Sequence, residues 1–203
     1  MKESEVSGLL ILASRSPRRK DLLEKAGLTF AVVVSRIDES AVTWSEPARY
    51  TRDLALAKAR EVADRFPDRW VIGADTIVVA GGQALGKPVS VDDARRMLAR
   101  LSGTAHEVYT GFAVVHKGQG HVYSEAVRSE VVFKSLSADE IEWYVHTGEP
   151  DDKAGAYAIQ GQGACLVRSV MGSYTNVVGL PVCEVVDYLL RQGIVCRETG
   201  GRS

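Results

Sequence analysis

The sequence predicts an α/β fold built on one mixed, twisted sheet with flanking helices. Strand-like and helix-like stretches are mixed from one end of the chain to the other. Some strands are joined by short glycine turns that make hairpins, and others are separated by whole helices that make crossovers. No internal repeat and no low-complexity linker divides the 203 residues, and 45% of them are hydrophobic, enough for a substantial core.

Leu9 to Ala13 reads as a short buried strand. Ser16 suits an N-cap, Pro17 the first helical position and Gly27 the position after the helix end, with Leu22, Leu23 and Ala26 forming one apolar face between them. Tyr50 to Phe66 is a second helix, and Trp70 to Ala80 is a strand that ends in the hairpin signal Gly81-Gly82. Asp92 to Leu101 is a third helix. Val108 to Val115 and Val122 to Phe133 are two long strands around the turn "HKGQGH". Ser137 and Glu140 form a capping box that opens a helix through Val145. "AYAIQGQGACLV" reads as further strand, and Pro181 to Gln192, closed by Gly193, is the last helix. One domain covers 1–203, with about 1–8 and 194–203 expected as flexible tails.

Composition narrows the function. The formal net charge of -1 argues against a protein that coats nucleic acid. Cys165, Cys183 and Cys196 lie far apart with no C-x-x-C spacing, which suits a reducing compartment better than a disulfide framework. No leader-like segment and no membrane-length apolar run is present, so the expectation is a soluble cytoplasmic protein without a membrane partner. The chain carries no P-loop, no dinucleotide fingerprint, no G-x-S-x-G elbow and no Cys/His pair suited to covalent catalysis.

The candidate site residues are polar groups placed where the pattern asks for apolar ones. Asp75 lies within "WVIGADTIVVA". A carboxylate there is either hydrogen-bonded to backbone at a strand irregularity, or is a metal ligand or general base on a rigid strand. Continuing the Gly81-Gly82 register puts Thr76 opposite Lys87, so Asp75, Thr76 and Lys87 reach one end of the sheet; Lys87 reads equally as an exposed turn lysine. Leu54, Lys58 and Val62 share a helix face, so Lys58 either snorkels or serves the same site.

A helix N-terminus attracts anions, and Arg18 and Arg19 crowd the first turn of the first helix. They therefore read as phosphate ligands, with Ser14 and loop N–H groups beside them. Arg15 reads as facing solvent. "IDES" sets Asp38 and Glu39 at a strand end, where they are a cation site or a solvated turn. Gln160 precedes a glycine turn and is either an ordinary turn residue or an amide that reads a base edge. Many cations with a few carboxylates suggest a polyphosphate bound with a hard divalent metal.

"LASRSPRRKDLL", "DES", "LALAKA", "GADTIVV", "GKP", "LSGTAHEVYTG", "DKAGAYAIQGQG" and "GSYTNVVGLP" occur in that order between Leu9 and Leu190. In this the chain resembles the Maf family of nucleoside triphosphate pyrophosphatases. The resemblance implies two lobes around a nucleotide cleft, a fold related to inosine triphosphate pyrophosphatases, and cleavage of a nucleoside triphosphate to monophosphate and pyrophosphate with Mg²⁺ or Mn²⁺. By the same resemblance Asp75 is the proton acceptor, and Glu39 helps to hold the metal together with Asp75. Asp38 and Asp152 also qualify as ligands by residue type. Ser14, Arg18, Arg19, Lys58 and Lys87 bind substrate. Arg18, Thr76 and Gln160 resemble the branch that acts on dTTP and UTP, and a homodimer is implied. Asp21 stands where the family often has Glu, on the surface. Two rivals remain at this point: a nucleotide-sensing regulator of cell division, and an enzyme that removes modified nucleotides.

Overall fold

The computed structural model describes residues 10–196. Seven strands form one sheet: β1 (Leu10–Leu12), β2 (Ala31–Val32), β3 (Trp70–Ala80), β4 (Gln83–Leu85), β5 (Ala105–His116), β6 (His121–Phe133) and β7 (Val167–Met171). Six helices accompany them: α1 (Pro17–Lys25), α2 (Pro47–Arg65), α3 (Val91–Leu101), α4 (Ala138–His146), α5 (Tyr174–Val178) and α6 (Val182–Arg191). The strand order is β2-β1-β3-β5-β6-β7, with β4 pairing only with β3. β1 runs parallel to β2 and β3, and every other pair is antiparallel, so the sheet is mixed as expected. No helix among the described residues is long and apolar enough to cross a membrane.

Local chemistry sets most boundaries. Pro17 opens α1, but the Ser16 hydroxyl makes no cap bond; instead Ser16 N donates to Ser14 Oγ at 3.2 Å. α2 starts three residues before the expected Tyr50, because Pro47 takes its first position and Glu46 accepts from Arg49 N. Gly81 and Gly82 have φ of +55° and +73°, the two left-handed positions that a two-residue hairpin needs, and Ala80 pairs with Gln83. Ser137 and Glu140 make the full capping box of α4.

The strand expected over "AYAIQGQGACLV" is not formed. Two 3-10 turns, Ala154–Ala156 and Gly161–Leu166, replace it, and β7 begins only at Val167. Here the Glu149 carboxylate accepts from Gln162 N and Gly163 N, which takes those amides out of any ladder. Gly155 and Gly161 both have φ of +71°, outside the extended region.

Alternate residues of the long strands feed different cores. On one face Ile11, Val71, Ala113 and Val115 pack on Ala55, Ala59 and Val62 of α2. The other face holds two separate clusters. Ile72, Ala74, Phe112 and Val114 lie under α1 and α6, while Val78, Ala80 and Val108 lie under α3 and α4. Thr76 and Thr110 pair between the two clusters. Ile194 and Val195 pack against the first of them. Residues 1–9 and 197–203, and with them most of both expected tails, lie outside the described residues.

Candidate active site

A gap in the sheet creates the site. β1 pairs with β3 only as far as Ile72, and β4 begins pairing at Val78, so the stretch of β3 between them has no strand on that side. A cleft of about 710 Å³ lies at this gap and reaches both faces of β3. Asp75 points to the α2 side and Thr76 to the side of α5.

On the α2 side, Lys58 bridges two carboxylates. Its Nζ lies 2.7 Å from Asp75 Oδ1 and 2.9 Å from Glu39 Oε1. Lys58 and Asp75 are each 12% exposed at the side chain, so the pair is poorly screened, while Glu39 is 59% exposed. Partial burial pushes the Glu39 carboxyl up, but Lys58, Lys87 and Arg19 outweigh it and hold the group below its ordinary value. The geometry separates the two acids of "IDES". Asp38 caps the 3-10 turn Glu39–Ala41, accepting from Ser40 N and Ser40 Oγ, whereas Glu39 turns into the cleft.

The approach of α2 that permits the Lys58 bridge depends on two residues without side chains. A Cβ on Gly73 would lie 2.2 Å from Ala55 O, and one on Gly111 would lie 2.3 Å from the Thr51 carbonyl. Both glycines are therefore close-contact positions that seat the helix backbone directly on β3 and β5.

On the other side of β3 the hydroxyl chain has a fixed direction. Thr110 Oγ1 donates to Asn176 O at 2.9 Å, so it accepts from Thr76 Oγ1 at 2.9 Å, and Thr76 in turn accepts from Arg19 Nη2 at 3.0 Å. Arg19 also donates from Nε to Gly179 O at 2.7 Å and from Nη1 to Ala74 O at 2.8 Å and Ser14 Oγ at 3.3 Å. The Ala74 carbonyl belongs to the unpaired edge of β3, so Arg19 fills a backbone bond that the missing strand would have made. Burial pulls the Arg19 guanidinium below its usual value; the charges of Asp75 and Glu39 work against that pull, and Arg18 adds to it.

The expected site residues converge on this cleft: Ser14, Arg18, Arg19, Glu39, Lys58, Asp75, Thr76, Lys87 and Gln160 all line it. Their situations differ. Arg19, read from sequence as a phosphate ligand, directs its donors at protein oxygens. Arg18 makes a 3.5 Å ion pair with Asp152. Lys87 has no ion-pair partner among the described residues, and the Gln160 side chain makes no hydrogen bond to one. Arg15 is exposed but stands at the rim of the cleft. Tyr50, Lys153 and Tyr157 also line it and were not singled out in the sequence. Tyr50 and Tyr157 look like ordinary core aromatics there, and Lys153, beside Asp151 and Asp152, looks like a surface ion pair.

No group of three or more His, Cys, Asp or Glu suited to a metal ion occurs among the described residues. Glu39 and Asp75 form a two-carboxylate set around a cationic ammonium. That set suits an ion that takes only one or two protein carboxylates and completes its shell with water and phosphate oxygens.

The fold and this cleft belong to one class of protein. Residues 9–192 match the family described as Maf-like protein, and the chain belongs to that family. A protein of Syntrophus aciditrophicus (strain SB) named dTTP/UTP pyrophosphatase is 50% identical over 184 residues, 91% of this chain and 90% of its own. Proteins with the same name from Geotalea uraniireducens (strain Rf4) and Geobacter sulfurreducens are 53% and 52% identical, each over 186 residues, covering 92% of this chain and 96% and 97% of theirs. A solved structure of a HAM1 protein from Coxiella burnetii aligns over 90% of this chain with a TM-score of 0.48 and 15% identity.

Proposed function

We propose that this protein hydrolyses dTTP and UTP to the monophosphate and pyrophosphate. The observation that carries the reading is the Lys58 bridge between Asp75 and Glu39, set in a cleft with Arg18 and Lys87. The names of its relatives, about half identical to it, support the substrate.

In this reading Asp75 is held in place by Lys58, whose Nζ lies 2.7 Å from its Oδ1, and serves as a general base. It takes a proton from water as the water oxygen bonds to the α-phosphorus. The bond from that phosphorus to the bridging oxygen breaks, and pyrophosphate leaves with the electron pair. Lys58, Lys87 and Arg18 spread the developing negative charge. Arg19 and Ser14 position the loop that carries Arg18. Glu39 and Asp75 would hold Mg²⁺ or Mn²⁺, which supplies further neutralisation of the phosphate chain. Gln160 offers a donor and an acceptor to a pyrimidine edge, and Thr76 with Arg18 bounds the space around it.

Pyrophosphate release measured over the standard ribo- and deoxyribonucleoside triphosphates and a set of modified ones, with and without Mg²⁺, tests the reading. The expected result is Mg²⁺-dependent release that is fastest with dTTP and UTP. A preference for modified purine nucleotides would overturn the substrate, and binding of nucleotide without release would make the protein a sensor.

A further inference from the structure

Three charged groups at one end of the cleft invite a role of their own. The Asp152 carboxylate stands between two cations. Arg18 Nη1 lies 3.5 Å from its Oδ2, and the Lys153 ammonium meets its Oδ1. The cations arrive from different parts of the chain, Arg18 from the first turn of α1 and Lys153 from the segment after the 3-10 turn Glu149–Asp152. Their side chains are 27% and 15% exposed, while that of Asp152 is 62% exposed. The cations are thus set in the wall and the anion lies over them with water at its back. An anion so placed is the replaceable member, because returning it to solvent is cheap.

Lys153 is also firmly held. Its Nζ donates to Glu149 O at 3.2 Å. The backbone then turns left-handed at Gly155 and at Ala156, whose φ of +58° is the one positive value at a non-glycine among the described residues. Such a conformation is strained by about 1–2 kcal/mol for a residue with a Cβ, and it persists where surroundings over-determine it. Here they do. Gly155 N donates to Gly86 O at 3.0 Å, next to Lys87. A Cβ on Gly155 would press on Val78 of β3 at 3.0 Å. Tyr157 Oη meets His106 Nε2 at 2.8 Å inside the core. The turn fixes Lys153 relative to both Lys87 and β3.

We propose that Lys153 is a further substrate-binding residue, and that the Asp152 carboxylate holds Arg18 and Lys153 in alignment until phosphate oxygens of a nucleotide take its place. A planar guanidinium and a point-like ammonium facing one carboxylate will accept phosphate oxygens in the same geometry, and the greater charge of a triphosphate favours the exchange. The proposal rests on the reading that the cleft takes a polyphosphate, and not on the chemistry of cleavage.

Calorimetric binding of inorganic tripolyphosphate at fixed ionic strength, alongside dTTP kinetics, tests it. Lys153→Met should weaken tripolyphosphate binding by about tenfold or more. It should raise KM for dTTP by a similar factor while leaving kcat within about threefold. Lys153→Arg should recover most of the loss. Asp152→Asn, at an exposed position that tolerates change, should bind tripolyphosphate more tightly than the wild-type protein. Unchanged binding in Lys153→Met, or weaker binding in Asp152→Asn, would overturn the proposal. Tripolyphosphate results as expected with no pyrophosphate release from any nucleotide would remove the hydrolytic reading and leave this one standing. Normal hydrolysis with unaltered KM in Lys153→Met would do the reverse.

Discussion

Neighbouring side chains of one type take up different tasks in this protein. Arg18 and Arg19 are consecutive, yet Arg19 is 9% exposed and tied to four protein oxygens, while Arg18 keeps a single exposed partner. The difference follows from helical geometry, which turns one of two successive residues inward. The proposed function gives the reactive role to Asp75. Asp75→Asn should retain nucleotide binding and lose about 10²–10⁴-fold in kcat, the usual effect of removing a general base. Single-turnover rates with dTTP measure this, and near-normal turnover would remove Asp75 from the role. Gln160→Ala deletes the amide proposed to read the base without touching a proposed phosphate ligand. The ratio of kcat/KM for UTP over CTP should drop by about three- to tenfold, the worth of one or two neutral hydrogen bonds; an equal loss on all nucleotides would argue against base reading.

At the scale of elements, α2 is the piece on which the site depends. Its backbone rests on Gly73 and Gly111, and that contact puts Lys58 within reach of Asp75. Gly111→Ala would drive a methyl group to 2.3 Å from the Thr51 backbone. Overpacking costs about 1–3 kcal/mol or more, so Tm should fall on the order of 10 °C in a chain of this size. Gly86→Ala meets no atom within 4 Å and serves as the comparison, with Tm nearly unchanged. Calorimetry on both variants checks the contrast. The long elements were legible in the sequence. β3 spans the predicted residues, and α2, α3, β5, β6 and α6 differ from expectation only at their ends, because periodicity and punctuation by proline and glycine are local signals. "AYAIQGQGACLV" departs from the expected strand because its apolar run carries only a local strand signal, while its conformation is set by the Glu149 carboxylate. The functions of Gly73 and Gly111 were invisible for the same reason: each depends on a helix brought there by the fold. Site residues that break a local pattern, such as Asp75 and Lys58, could be read. Lys153 breaks none, and only its place in the motif "DKAGAYAIQGQG" marks it.

At the scale of the whole molecule, a histidine buried in the cluster under α3 and α4 makes stability depend on pH. His106 is 2% exposed, packs on Phe133 and bonds to Tyr157, and burial pulls its pKa from 6.5 to about 4. The folded protein therefore holds this imidazole neutral where the unfolded chain protonates it. Stability from this source is complete above pH 6.5 and is lost as pH falls toward 4. The loss by pH 4 is on the order of 3 kcal/mol. A variant carrying both His106→Phe and Tyr157→Phe, which leaves no unpaired polar partner, should show a flatter decline of Tm across that interval. An unchanged slope would assign the decline to carboxylates alone.

The gap in the sheet has one more consequence. Where β1 ends and β4 has not begun, β3 alone forms the partition between the two sides of the cleft. Asp75 and Thr76 are adjacent in sequence and serve opposite sides of it. In the proposed function, bond cleavage and the sorting of bases are thus separated by the thickness of a single strand. Each side is lined by its own elements, α2 for one and the α5 and Gln160 segments for the other. Substitutions that reshape the compartment for the base can accumulate without disturbing the carboxylates behind it, so a single scaffold can be retuned to a new nucleotide while its chemistry stays fixed.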